Sequence, residues 1–126
     1  MPQPRSQDGS ITAETAVVLP VLVLVLVALM GVAHAVGVQL TVQDAARVGA
    51  RAAARGESQA EVERLTRSVA PAGSAITVSR SGGLVRVDVV AQVAPFGAAA
   101  RLVPELTVDA QAVAADESTD SLGGIP

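Results

Sequence analysis

The stretch AVVLPVLVLVLVALMGVAHAVGV, Ala16 to Val38, runs 23 residues without a charged side chain. A helix needs about 20 apolar residues to cross the hydrocarbon core of a bilayer, and a helix packed on one side of a soluble domain is rarely apolar all round. The run therefore reads as a membrane-spanning helix. Pro20 stands about one turn inside it, where the missing N–H removes a backbone hydrogen bond. Two readings of Pro20 stand side by side: a built-in kink, or a proline tolerated near the end of a membrane helix.

The helical pattern does not stop with the apolar run. QLTVQDAARVGARAAARG, Gln39 to Gly56, contains no proline and is rich in Ala and Arg, both strong helix formers. One helix from about Ile11 to Arg55, roughly 65 Å long, is expected. On its second half Arg47, Arg51 and Arg55 recur every four residues as a cationic stripe. Val42, Ala46, Gly49, Ala50 and Ala53 form a smooth face of small residues. Asp44 precedes Arg47 by three residues, a spacing at which helical side chains meet. The stripe is either a solvated face or a contact surface for a neighbouring subunit.

Gly56 marks the helix end, because glycine is favoured just past a C-cap. Ser58-Gln59-Ala60-Glu61 fits a capping box, in which Ser and Glu each satisfy the other's free amide. A second helix of about Gln59 to Val69 follows, with Val62, Leu65 and Val69 as its buried stripe and Pro71 and Gly73 as its terminators. From Ala75 the period changes to two. Ile76 and Val78 alternate with Thr77 and Ser79. After the turn residues Ser81-Gly82-Gly83, the residues Val85, Val87, Val89, Ala91 and Val93 alternate with Arg86, Asp88 and Gln92. This is a hairpin pattern. A loop from Pro95 to Pro104 leads to a third strand, LTVDAQAVA, with Leu106, Val108, Ala110 and Ala112 on one side. Three antiparallel strands with one apolar face need a cover, which either helix can supply. DESTDSLGGIP, from Asp116, is acidic and poor in large apolar residues and reads as a disordered tail.

The chain has 126 residues, room for one small domain. Its single aromatic residue, Phe96, implies a thin core of Val, Leu and Ala, since large cores draw on aromatics. With no cysteine, disulfides, zinc-thiolate sites and thiol nucleophiles drop out together. All nine cations are Arg, yet the net charge is -3, which argues against nucleic acid as a partner. His34, the only histidine, lies within the membrane run. The carboxylates Asp109, Asp116, Glu117 and Asp120 have no partner histidine, and no glycine-rich phosphate loop follows a strand. Neither an enzyme, a cofactor, a metal site nor a small-molecule substrate is expected.

One residue breaks the logic of the apolar run. In QDGSITAETAVVLP, Glu14 stands at its entrance. An ionisable group there is costly unless paired and marks a functional site by default. GSITAE, the VLP of Val18 to Pro20, and QDAARVGARAAARG together resemble the TadE-like pseudopilins of tight-adherence (Flp) type IV pili, most specifically over Asp8 to Arg55. The resemblance implies a minor pilin, since the major subunits of such pili are much shorter and almost wholly helical. It implies a hydrophilic leader ending in Gly, cut by a membrane aspartyl prepilin peptidase between Gly9 and Ser10, which makes Glu14 the fifth mature residue. It further implies that Glu14 pairs with the new Ser10 α-amine of a neighbouring subunit and so sets axial register. A Glu14 that merely rests in the headgroup layer is the alternative.

The expected architecture is α+β and pilin-like: leader 1–9, transmembrane and assembly helix 10–56, small α+β head 57–115 and tail 116–126. Implied partners are the membrane, the peptidase, other pilin subunits and the pilus assembly machinery, in a single-pass protein with its head extracytoplasmic that supports pilus biogenesis and adhesion. Counting cations alone gives the opposite orientation, because Arg5 stands before the run and Arg47, Arg51 and Arg55 after it. Two other readings remain. The chain could be an uncleaved single-pass protein with a partner-binding head. Alternatively, Ala33-His34-Ala35 has the form of a signal peptidase site, giving a secreted protein cut after Ala35, although the apolar run exceeds the roughly 7–15 residues usual in a signal.

Overall fold

The computed structural model describes residues 6–94, 101 and 104–117. Its elements are α1 (Ser6–Ala54), α2 (Gln59–Val69), β1 (Ala75–Ser81), β2 (Leu84–Val93) and β3 (Leu106–Ala115). The α+β architecture expected from the sequence is the one observed. The stretch up to Ala33 and the head from His34 onward are separate bodies.

Helix α1 begins at Ser6 rather than near Ile11, and it runs through Gly9 and Pro20 without a break. Glycine costs a helix about 1 kcal/mol relative to alanine, too little to stop one that both flanks favour. The end of α1 is set more firmly. Gly56 adopts a positive φ of 79°, its N–H bonds the Ala53 carbonyl at 3.0 Å, and the Glu57 N–H bonds the Ala52 carbonyl at 3.2 Å. These are the paired closing bonds of a Schellman motif, which satisfy carbonyls the helix itself leaves free.

Helix α2 has the expected bounds. The Ser58 hydroxyl accepts from the Glu61 N–H at 3.3 Å, but the return half of the capping box is not made. Glu61 instead holds Arg64, which donates to its carboxylate at 2.6 and 2.9 Å. A charge-assisted pair one helical turn away outcompetes a single bond to a backbone N–H. The helix ends where Pro71 forces the preceding residue, Ala70, into extended geometry, with ψ 150°.

The sheet is antiparallel in the order β1-β2-β3. The β1–β2 turn comprises Gly82 and Gly83, with Ser81 opposite Leu84 and φ of 60° and 74° at the two glycines. Positive φ at both central residues marks the type I′ turn, whose twist matches that of paired strands. On β2, Val85, Val87, Val89, Ala91 and Val93 are buried, whereas Arg86 and Gln92 are exposed. Both helices cover this face. The core joins Val42, Ala45, Ala46, Ala52 and Ala53 of α1 and Val62 of α2 to the inward residues of β1 and β2. It consists of Val and Ala throughout, with Leu65 only partly buried at its margin. Burying each of the fully enclosed valines contributes about 1.5–3 kcal/mol before the entropy of ordering the chain is subtracted.

The thinness of this core depends on Gly49. A Cβ there would meet the Thr66 hydroxyl of α2 and lie 2.9 Å from a methyl of Val87 on β2. The small face of α1 is therefore the inner face of the head. Phe96, most of the 95–104 loop and residues 118–126 of the tail lie outside the described residues.

Candidate functional site

Polar and charged groups gather at three places. The first is the start of α1. Gly9, Ser10 and Glu14 are all on this helix and all exposed. Ser10 and Glu14 are four residues apart and so share one helix face. No atom comes within 4 Å of a Cβ built on Gly9. Thr15 turns its hydroxyl back onto the Ile11 carbonyl at 2.9 Å, which satisfies it without a partner outside the helix. Pro20 offers no N–H to the carbonyl one turn before it. From Gly9 onward α1 is long and apolar enough to cross a membrane, and its most apolar window has no buried residue. That distinguishes it from the core helix of a soluble domain.

The second place is the flank of the head where α1 runs beside β3. Gln43, Arg47, Asp109, Ala110 and Gln111 line one hollow of about 250 Å³. Arg47, Ala50, Arg51, Ala54 and the 112–114 segment line the next. Arg47, Arg51 and Arg55 are all exposed. Arg47 stands 3.7 Å from Asp44, a loose and solvated pair that contributes little. The side chains of Arg51 and Arg55 make no hydrogen bond or ion pair among the described residues. Gln39 ties the same flank together, donating to the Asp109 carbonyl at 3.0 Å.

The third place is a clamp that the sequence reading missed. Arg80, the penultimate residue of β1, donates to the Asp116 carboxylate at 2.9 Å and to the Glu57 carbonyl at 3.0 Å. It thereby joins the α1–α2 connection to the residue just after β3. The Asp116 N–H also continues the ladder, bonding the Gly83 carbonyl at 2.8 Å. The tail expected from Asp116 thus has an anchored first residue. Only pairing across three elements brings Arg80, Glu57 and Asp116 together, and no local spacing signals it.

A titration effect in the head lies on α2. Hydrogen bonding to Arg64 holds the Glu61 carboxyl below its ordinary range and raises the Arg64 guanidinium. Among the described residues no group of three or more His, Asp or Glu side chains could hold a metal ion. Of the carboxylates singled out from the sequence, Asp109 lines the first hollow.

Comparison with known proteins agrees with this picture. The family model described as "TadE-like protein" matches residues 9–51. The apoptosis inhibitor Rv3655c of Mycobacterium tuberculosis is 36% identical over 104 residues, covering 82% of this chain and 77% of the relative. No solved structure matches. The family match begins at Gly9 and ends at Arg51, spanning the apolar run and most of the arginine stripe, and the similarity to the relative extends into the head. The chain belongs to the TadE-like family of pilin-related structural proteins.

Proposed function

We propose that the chain is a minor pilin of a tight-adherence type IV pilus, processed between Gly9 and Ser10 and assembled through α1. The observation that carries this reading is the family match, which opens on Gly9 itself. Cleavage there turns Ser10 into a new α-amine at the membrane surface. Glu14 of a neighbouring subunit pairs with it, which removes the cost of an isolated carboxylate near hydrocarbon and fixes the axial register of packed helices. Gly9 also suits the cut. The scissile bond lies within a helix, and glycine lowers the cost of unwinding that turn for the peptidase. The head lies outside the membrane, and Arg47, Arg51 and Arg55 face a neighbouring subunit, in support of pilus assembly and adhesion.

The test is the N-terminal residue of protein recovered from membranes of a host that expresses the prepilin peptidase. Ser10 supports the reading; Met1 leaves an uncleaved anchor, and Val36 a secreted protein. Gly9→Ala is expected to block processing, and Glu14→Ala to leave processing intact while halting assembly. If neither substitution changes processing or assembly, the pilin reading fails.

The printed name of the relative, an apoptosis inhibitor, favours a second reading in which the head acts on a component of a host cell. Protection of host cells from apoptosis by the wild-type chain, and its loss when residues 57–115 are deleted, would support that activity.

A further inference from the structure

Among the described residues strand β3 is an edge strand, paired with β2 on one side only. In an antiparallel ladder, hydrogen-bonded and non-bonded pairs alternate. The bond from the Asp116 N–H to the Gly83 carbonyl lies one step beyond the Ala115–Leu84 pair and sets the phase. Ala114, Ala112 and Ala110 therefore bond to β2, whereas Ala115, Val113, Gln111 and Asp109 aim their backbone groups away from it. Gln39 supports this phase independently, because it reaches the outward carbonyl of Asp109 from α1. That one side chain caps the edge at Asp109. From Gln111 to Ala115 the outward groups bond nothing among the described residues.

Long uncapped edges pair with other chains, and proteins usually blunt them. Here the flanking charge selects what can pair. Arg47 and Arg51 border the hollows beside residues 110–114 of β3, and Asp109 is the one carboxylate lining them, at the end that Gln39 already caps. A second copy of this chain, pairing edge to edge, would bring two sets of arginines together. The chain's own last residues fit poorly, because DSLGGIP, 120–126, contains one carboxylate with two glycines and a proline, which are weak strand formers. We propose that the edge of β3 from Gln111 to Ala115, bordered by Arg47 and Arg51, docks an extended acidic segment of a partner protein as a fourth strand of the sheet. Its main chain completes the ladder and its carboxylates meet the arginines, the division of labour usual in strand addition. The inference rests on the proposed function only in taking the arginines as a contact surface, and not on processing or on a pilus.

The experiment uses the full chain in nanodiscs of zwitterionic lipid. The probes are a synthetic ten-residue peptide alternating Val and Glu, and its Lys counterpart. Amide hydrogen exchange is read on β3. The Glu peptide is expected to slow exchange at Gln111, Val113 and Ala115, and the Lys peptide to leave them unchanged. The Arg47→Ala/Arg51→Ala double variant, which alters only exposed side chains, is expected to bind the Glu peptide about tenfold more weakly with β2 amides still protected. Equal effects of the two peptides, protection that bypasses β3, or no effect at millimolar peptide would each overturn the proposal. Protection that depends on protein concentration without peptide would give the edge to a second copy. Faster exchange at Gln111–Ala115 on truncation after Glu117 would give it to the chain's own C-terminus. Either result also overturns it.

Discussion

Gly49→Ala is the sharpest test of how the head is held together. On an ordinary helix the change stabilises by about 1 kcal/mol, because alanine is the better helix former. Here the added Cβ falls against the Thr66 hydroxyl and 2.9 Å from a Val87 methyl. Both neighbours are fully buried, so neither can swing into solvent. The Thr66 hydroxyl is also committed, donating to the Val62 carbonyl at 2.7 Å. Overpacking a tight core costs about 1–3 kcal/mol, and displacing that hydroxyl from its acceptor adds about 1–3 kcal/mol of unmet hydrogen bonding. The net expectation is a loss of about 1–5 kcal/mol, opposite in sign to the propensity effect. Amide exchange at Val85, Val87 and Val89 measures it, because these amides report opening of the head. Gly37→Ala is the control: nothing lies within 4 Å of its Cβ position, so it is expected to be neutral or mildly stabilising. Thr66→Ala removes the nearest obstacle, and the double variant Gly49→Ala/Thr66→Ala should lose less than the sum of the single losses. A Gly49→Ala variant as stable as the parent, or more so, would refute the close approach of α1 to α2 and β2.

Three further outcomes follow from the same packing. Arg80→Ala should lower head stability by about 1–2 kcal/mol and speed exchange at the Asp116 amide before the rest of β3, read residue by residue. Gly83→Val places a branched side chain at φ 74°, which is expected to cost about 1–2 kcal/mol and appear as faster exchange along both β1 and β2. Glu61 has a folded pKa below its ordinary 4.5, owing to its hydrogen bond with Arg64. Its contribution is therefore fully present above that ordinary value and is lost as pH falls through the lowered one. Glu61→Gln should remove this acid-side dependence from the exchange of α2 amides and leave neutral-pH behaviour nearly unchanged, since the pair is exposed.

Elements with local causes could be read from the sequence. Ser58 and Pro71 bracket α2, two glycines specify the I′ turn, and the alternation of Val85 to Val93 states which face of β2 is buried. The start of α1 could not be read this way: the helix was expected from about Ile11, and it runs from Ser6 through Gly9. The capping box misled because the spacing of Glu61 from Ser58 suits one partner, and its spacing from Arg64 suits a stronger one. Of the candidate site, Gly9, Ser10, Glu14 and the arginine stripe stood out as sequence features. Gln39 and the phase of β3 did not, because which backbone groups face outward depends on pairing with a strand whose partner residues lie 13 to 31 positions away.

The absence of large side chains from the core is part of the same design. Helix α1 can lie close to β2 and α2 only because its inner face is Ala45, Ala46, Gly49, Ala52 and Ala53. Close approach lets small groups exclude water without aromatic bulk, and it makes the head sensitive to added volume more than to lost volume, since there is little void to relax into. The same narrowness leaves β3 incompletely covered: its inward residues Val108, Ala110, Ala112 and Ala114 stay half-buried, whereas Val85, Val87 and Val89 on the central strand are enclosed. A wider helix face would have reached across all three strands and closed the sheet. The partial cover of β3 beside Arg47 and Arg51 thus follows from the same small residues on α1 that build the thin core, and it is there that the proposed contact surface lies.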